Sequence, residues 1–174
     1  MFKSFSLAGF VLGFYGWLCC ISYMRLAEKE IVKKSELESV LHESLACRLG
    51  LCDESGVYIV PMNFGYCDGE LFFHCAWEGR KVEMMKNNPS VCFECDVFDK
   101  IVERGVACSW MSMYRSVIGW GSVVFIEDES EKRSALQCLV KHYNPKAKDV
   151  FSKKNVDSVC VFKVVIEKMT GKKA

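Results

Sequence analysis

The sequence is short of several features that would settle its class at once. Net charge is nearly absent: 23 basic residues stand against 22 acidic ones, a formal +1 over 174 residues. Proteins that neutralise phosphates along a nucleic acid carry a basic excess, so no nucleic-acid partner is implied. A small anionic ligand needs only a local cluster of cations and stays open. There is no internal repeat and no long linker, and the length suits one compact domain that buries roughly 70% of its unfolded surface without a metal or disulfide. A complete metal-binding pattern is also missing. Cys92 and Cys95 form a C-x-x-C, but in "SVCFECDVF", which reads as a strand, residues three apart face opposite sides, and no second ligand pair follows. The same geometry argues against redox catalysis by this pair, and no metal site is expected.

What is present is less ordinary. Eleven cysteines are too many for chance and odd in number. In a chain long enough to pack unaided they read as mostly reduced thiols of a cytosolic protein. Cys47, Cys52, Cys75 and Cys160 alternate with apolar strand residues, which suits small core side chains. From Phe5 to Tyr23 the chain carries no charge. As a helix, about 19 residues would reach about 28 Å, close to the hydrocarbon thickness of a bilayer. Arg25, Lys29, Lys33 and Lys34 follow it, against Lys3 before it, which would keep the rest of the chain on the cytoplasmic side. A cleaved signal is disfavoured by the weak n-region and the missing small-residue cleavage site. Two readings remain, an anchor or upstream sequence translated ahead of Met24. The chain divides at 1–23 and 24–174, and its expected place is the cytoplasm, or the inner membrane facing the cytoplasm if residues 5–23 insert.

Beyond Met24 the pattern alternates between helix and strand. Ser35-Glu36-Leu37-Glu38 looks like a capping box, with Leu37, Val40, Leu41 and Leu45 at helical spacing after it. "CRLGLCDESGVYIVPMNFGYCDGELFFHCA" holds three β-rich runs separated by Asp-Glu-Ser-Gly and Cys-Asp-Gly-Glu, which predicts a three-stranded meander with Pro61 at a bulge or edge. A helix follows Gly79 and stops at Asn87-Asn88-Pro89. "SVCFECDVF", "YRSVIGWGSVVFIED" and "SVCVFKVVIEKMTG" read as strands, and "DESEKRSALQCLVKHY" as an amphipathic helix. About six strands with helices only at the connections predict a mainly β (α+β) barrel over a doubly wound parallel sheet.

One stretch carries chemistry. In "FHCAWEGRKVEMMKNN" a strand ends near His74, and Glu78-Gly79-Arg80-Lys81 turns it into a helix. A helix start offers free N–H groups, glycine allows close approach, and two cations add charge, a combination suited to a phosphate. Solvated helix face and packed strand histidine are the plain alternatives.

The ordered set V-P-x-N-F-x-Y, F-H-x-A-x-E-G-R-K, N-P-x-V-C-F-E and Y-R-S-V-x-G-x-G resembles the nitroimidazole-reductase-like branch of the pyridoxamine 5′-phosphate oxidase-related, FMN-binding split-barrel proteins. The resemblance runs from Met24 to the end. It implies a six-stranded antiparallel split barrel that forms a homodimer with FMN at the subunit interface. Carried onto this chain, Pro61, Met62, Asn63 and Phe64 would line the flavin ring, and His74 and Ala76 would flank it. Gly79, Arg80 and Lys81 would hold the phosphate, and Arg115, Ser116 and Val117 would complete the site. Trp77 would tune access, and Trp110 and Tyr114 are candidates to cover the flavin face or to pack in the core or interface. The implied activity is FMN-dependent oxidoreduction, with NAD(P)H as donor and a small-molecule acceptor, a nitro group among them. His74 is then the candidate proton donor. Two alternatives stand beside it: a haem-binding split barrel with His74 as axial ligand, and a flavin-binding protein without catalysis. For haem, a second histidine near the groove would discriminate, but His42 and His142 fall on predicted helices.

Overall fold

The computed structural model describes residues 26–148 and 151–174. The apolar run at 5–23 and the division at residue 24 lie outside the described residues. Among the described residues no helix is long and apolar enough to cross a membrane. The elements, in order, are β1 (Glu30–Ile31), α1 (Lys34–Glu43), β2 (Cys47–Asp53), β3 (Gly56–Met62), β4 (Gly65–Cys67), β5 (Glu70–Cys75) and α2 (Arg80–Asn87). Then come β6 (Ser90–Val102), β7 (Met111–Ile126), α3 (Glu129–Tyr143), α4 (Lys153–Asp157) and β8 (Cys160–Lys173). Every strand pairing is antiparallel. The order across the sheet is β3-β2-β6-β7-β8-β5-β4, with β1 added on β8. Six strands are long, and β1 and β4 are short additions, so the architecture is the split barrel that the strand pattern predicts. The sheet does not close: the chain passes from β3 to β4 through Asn63 and Phe64, yet no ladder joins those two strands.

The period-two pleat decides what lies inside. β2 buries Cys47, Leu49 and Leu51 and turns Arg48 and Cys52 outward; β6 buries Val91, Phe93 and Cys95. Cys92 therefore faces away from Cys95, as a strand requires. Phe73 of β5 stacks on Phe162 of β8 with ring centres 5.1 Å apart. Each fully buried phenylalanine of this core is worth about 1.5–3 kcal/mol in area removed from water. α1 and α2 add Leu37, Val40 and Leu41, and Val82, Met84 and Met85, to the same core. On the outer face a second, smaller cluster forms where α3 and α4 cover Ile126 and Val161. Asp128 starts α3 as its side chain accepts from the N–H groups of Ser130 and Glu131, both at 2.9 Å. Gly65 lets α3 lie directly on β4: a Cβ there would come within 2.7 Å of the Leu139 backbone.

Four sequence expectations need correction. α1 starts at Lys34 after an extended Lys33, and no side chain caps it. Ile31 is held in the β1–β8 ladder opposite Gly171, so the helix begins as soon as that pairing ends and Ser35 falls inside it. Leu45 lies past the helix and is exposed. The meander is two separate hairpins: β2 pairs β3 and β4 pairs β5, but β3 is an edge strand and β5 lies across the sheet beside β8. Pro61 therefore sits on an edge, where its missing N–H breaks no central ladder. Among the cysteines, Cys47, Cys75 and Cys160 are buried but Cys52 is exposed. Seven described cysteines are free, while Cys67 of β4 and Cys138 of α3 form a disulfide. Their positions are 71 residues apart in sequence, and only the seating of α3 on β4 brings them together.

That bond closes a long loop, for which the chain-entropy relation gives about 4 kcal/mol as an upper value. Cys138→Ala, or reductant added to the wild type, should lower the stability measured by urea unfolding by about 2–4 kcal/mol. Cys108→Ala, at a free and exposed thiol, should leave it within about 0.5 kcal/mol.

Candidate functional site

The turn from β5 to α2 is built by its glycine. Gly79 has φ 117° and ψ 161°, a conformation that a side chain would strain, and it serves as the N-cap of α2. No side chain caps this helix; the N–H groups of Val82 and Glu83 donate to the Gly79 carbonyl, and those of Arg80 and Lys81 have no acceptor within the helix. The Arg80 guanidinium lies 4.8 Å from the centre of the Tyr58 ring. Lys81 is half-buried, and among the described residues its ammonium has no ion pair or hydrogen bond. Its charge acts on three neighbours, His74, Cys75 and Cys160.

His74 occupies the outer face of β5 opposite Val161 of β8. His74 is exposed, yet partial desolvation of its ring, and then the Lys81 ammonium, push its pKa below the ordinary 6.5. Burial pushes the Cys75 thiol up to about 11 and the Cys160 thiol in the same direction. Both remain protonated and unreactive at neutral pH. The imidazole of His74 opens on an apolar cavity of about 320 Å³ beneath α3 and α4.

Pro61 and Asn63 are exposed, while Met62 and Phe64 are buried. The backbone N–H of Phe64 donates to the Tyr143 hydroxyl at 3.1 Å. In the β4–β5 ladder Gly65 pairs with Phe72, and the Phe64 and Phe73 rings lie 6.4 Å apart between centres. The end of the Pro61–Phe64 segment thus lies beside Phe73, the residue before His74, and the turn after β5 carries the exposed Ala76, Gly79, Arg80 and Lys81.

Arg115, Ser116 and Val117 do not join them within one chain. Val117 pairs with Gly171, whereas His74 lies level with Val161 and Ile126, roughly 30 Å further along β7 at ~3.3 Å per residue. Val117 is fully buried. Arg115 is spent on Glu43, donating to its two carboxylate oxygens at 3.0 and 2.8 Å, with Asp99 at 3.6 Å. Trp110, Phe98, Ile101 and Val106 are exposed near that end of the sheet, and Tyr114 is half-buried.

Sequence reasoning missed the segment beside His74 that runs from α4 into β8. Trp77 donates from Nε1 to the Asp157 carbonyl at 3.4 Å. The buried Lys132 sits 4.6 Å over its ring and donates to the Val159 carbonyl at 3.3 Å. Behind them is α4, whose signal was Ser152, which accepts from the Asn155 N–H at 3.2 Å as an N-cap. The other histidines are committed elsewhere. His42 packs edge-on to Tyr66, and His142 donates from Nε2 to the Ser44 carbonyl at 2.8 Å.

Hydrogen bonds from Arg115 and Ser39 hold the Glu43 carboxyl down at about 2 from an ordinary 4.5. A carboxylate depressed in the folded state stabilises above its unfolded pKa and loses that contribution as pH falls through the folded value. The stabilities of the wild type and Arg115→Ala, measured by urea unfolding against pH, should therefore differ above pH 4.5 and converge toward pH 2.

Comparison with known proteins adds the following. A family model described as pyridoxamine 5′-phosphate oxidase matches residues 33–173. A Bacteroides thetaiotaomicron protein named for 5-nitroimidazole antibiotic resistance has a crystal structure 39% identical in sequence, with a TM-score of 0.75, over 82% of this chain and 85% of that one. The flavocytochrome Anf3 from Azotobacter vinelandii shares the fold at 17% identity and a TM-score of 0.74, over 87% and 72% of the two chains. So does an FAD and heme binding protein from Mycobacterium smegmatis, at 16% and 0.75, over 84% and 73%. Among curated proteins no significant match is found.

Proposed function

The chain belongs to the pyridoxamine 5′-phosphate oxidase family, in the branch of the nitroimidazole-resistance protein, and on that premise we propose that it is an FMN-dependent oxidoreductase acting as a homodimer. One observation carries the reading: an uncapped helix start at Gly79 beside Lys81, a half-buried cation with no partner among the described residues. A phosphate would satisfy both at once.

The residues present fit such a cofactor. Backbone N–H groups at Arg80 and Lys81 and the Lys81 ammonium would bind the phosphate. Pro61, Met62, Asn63 and Phe64, with His74 and Ala76, would border the ring along the seam. The cofactor, once bound, supplies the transfer of electrons from NAD(P)H to a small acceptor, a nitro compound being the reading favoured by the relative. His74 would give a proton to that acceptor. Arg115, Ser116 and Val117 would have to come from a second chain, since their own β7 carries them away from His74. An open sheet edge and exposed Trp110, Phe98 and Ile101 support such pairing.

The deciding experiment is an absorption spectrum of the purified protein, followed by NADH or NADPH without oxygen. Flavin bands that bleach support the reading. A protein that takes up no FMN overturns it, a Soret band replaces it with haem, and bound flavin that neither donor reduces leaves a binding protein. Lys81→Ala should weaken FMN binding by about 1–3 kcal/mol, roughly 5- to 150-fold, in a flavin fluorescence titration. If His74 delivers the proton, its charged form is needed. The acceptor reduction rate should therefore rise as pH falls, with a midpoint below 6.5, and His74→Gln should flatten that profile while retaining flavin.

A further inference from the structure

The Cys67–Cys138 bond does not lie sealed in the core. Both cysteines line an open, polar recess of about 590 Å³ between the β4–β5 hairpin and α3. The recess shares no lining residue with the Gly79–Lys81 turn and does not include His74. Cys67 is half-buried and Cys138 is buried, so the bond is approached from the Cys67 side. Two of the cations on these walls are spent, Lys163 on Glu70 and Arg133 on Glu129. Three charges are not. The side chains of Asp68, Glu131 and Lys141 have no ion pair or hydrogen bond among the described residues. Gln137 donates from Nε2 to the Ala147 carbonyl at 3.3 Å, while its Oε1 is buried and has no partner.

Two free carboxylates and one unanswered carbonyl oxygen are the natural partners of an ammonium group. The one free cation, Lys141, stands three residues after Cys138 on α3, where side chains share a face, and it lines the same recess. We propose that the recess is a thiol–disulfide exchange site, at which a small thiol bearing an ammonium group becomes joined to Cys67. The thiolate of the small molecule forms a bond to the Cys67 sulfur as the Cys67–Cys138 bond breaks. The electron pair of the broken bond leaves on Cys138, so the small thiol is oxidised and Cys138 is reduced to a thiolate that then takes a proton from water. Lys141 stabilises that leaving thiolate. Asp68, Glu131 and the Gln137 oxygen select the ammonium. Because Cys138 ties α3 to β4, the exchange also sets how firmly the helix is held on the sheet. The site stands apart from the flavoprotein reading and needs no nucleotide.

The test uses the full chain in its oxidised form with oxygen excluded, so that an added thiol joins only a cysteine already held in a disulfide. Cysteamine is the ammonium probe, β-mercaptopropionate its anionic counterpart and β-mercaptoethanol the neutral one. After an acid quench, peptide mass mapping should find cysteamine on Cys67 and Cys138 as a free thiol. With each rate divided by that of the same thiol on hydroxyethyl disulfide, cysteamine should open the bond at least about fivefold faster than β-mercaptopropionate. Asp68→Asn combined with Glu131→Gln should remove most of that preference and leave β-mercaptoethanol within about twofold of its wild-type rate. Lys141→Gln should slow all three thiols about threefold or more, with an unchanged circular dichroism spectrum. An adduct on Cys138, or equal normalised rates for the three thiols, overturns the proposal. So does a bond that stays closed to excess thiol and opens only in urea, which would make it a purely structural link. None of these outcomes depends on bound flavin, so a failure here leaves the oxidoreductase reading where it stood.

Discussion

The structure depends on covering a sheet that does not close. Where β3 hands over to β4, two strand edges come together without pairing, and the backbone there must find partners elsewhere or remain unpaired at about 1–3 kcal/mol per buried group. α3 supplies them. The Tyr143 hydroxyl accepts from the Phe64 N–H and donates to the Leu45 carbonyl at 3.0 Å, and His142 reaches the Ser44 carbonyl. One helix end thus ties the seam to the end of α1. Gly65 allows the backbones to touch, and the Cys67–Cys138 bond fixes the contact. The same helix, one turn back, walls the cavity at His74 with Leu136, Leu139 and Val140. The element that completes the fold therefore also shapes the site.

The distribution of charge follows from this frame. Arg48 bridges Glu94 and Asp96 on the outer face, Lys163 meets Glu70, and Lys173 meets Glu36. Exposed pairs of this kind add little stability. What they reveal is which cations are already spent. Arg115 belongs to that group, and its Glu43 partner weakens any claim that its charge alone holds an anion. Lys81 does not belong to it. Half-burial of an unpartnered ammonium costs free energy that a bound anion would offset, which is why the turn at Gly79 and not the arm at Arg115 anchors the functional reading.

Much of this was legible in the sequence, and the failures share a cause. Strands and helices with strong local signals came out right: α2 between Gly79 and Asn88, α3 behind Asp128, and the long β7 and β8. The order of strands did not, because hairpin-forming turns specify a neighbour on one side only. Nothing local says that β2 finds its second partner in β6. Ser35 misled as a cap since the helix start is set by Ile31 opposite Gly171, a pairing across most of the chain. The disulfide and α4 were invisible for the same reason, both depending on what α3 lies against. The seam residues Pro61–Phe64 and the turn His74–Lys81 were grouped through family likeness, a signal that no local pattern of the sequence carries. Arg115–Val117 were grouped with them too, yet one chain holds them apart.

A proton on His74 and an anion at Lys81 would not be independent. His74 is the residue of the turn whose ordinary pKa lies nearest neutrality, and it is pushed down first by burial and then by the Lys81 ammonium. Tyr66 and the neighbouring thiols are driven away from neutrality, Tyr66 to about 12 and Cys75 to about 11. An anion seated against Lys81 cancels the second of the two effects on His74 and leaves the first, so its arrival raises the His74 pKa. By linkage the converse holds: protonation of His74 tightens the anion's hold by the same factor. A chain with Lys81 paired to an acidic side chain would have lost that coupling, because the cation would already be neutralised when the anion arrived. An unpaired lysine there would do two things with one charge: attract an anion, and add to burial in holding the His74 pKa down until the anion is bound.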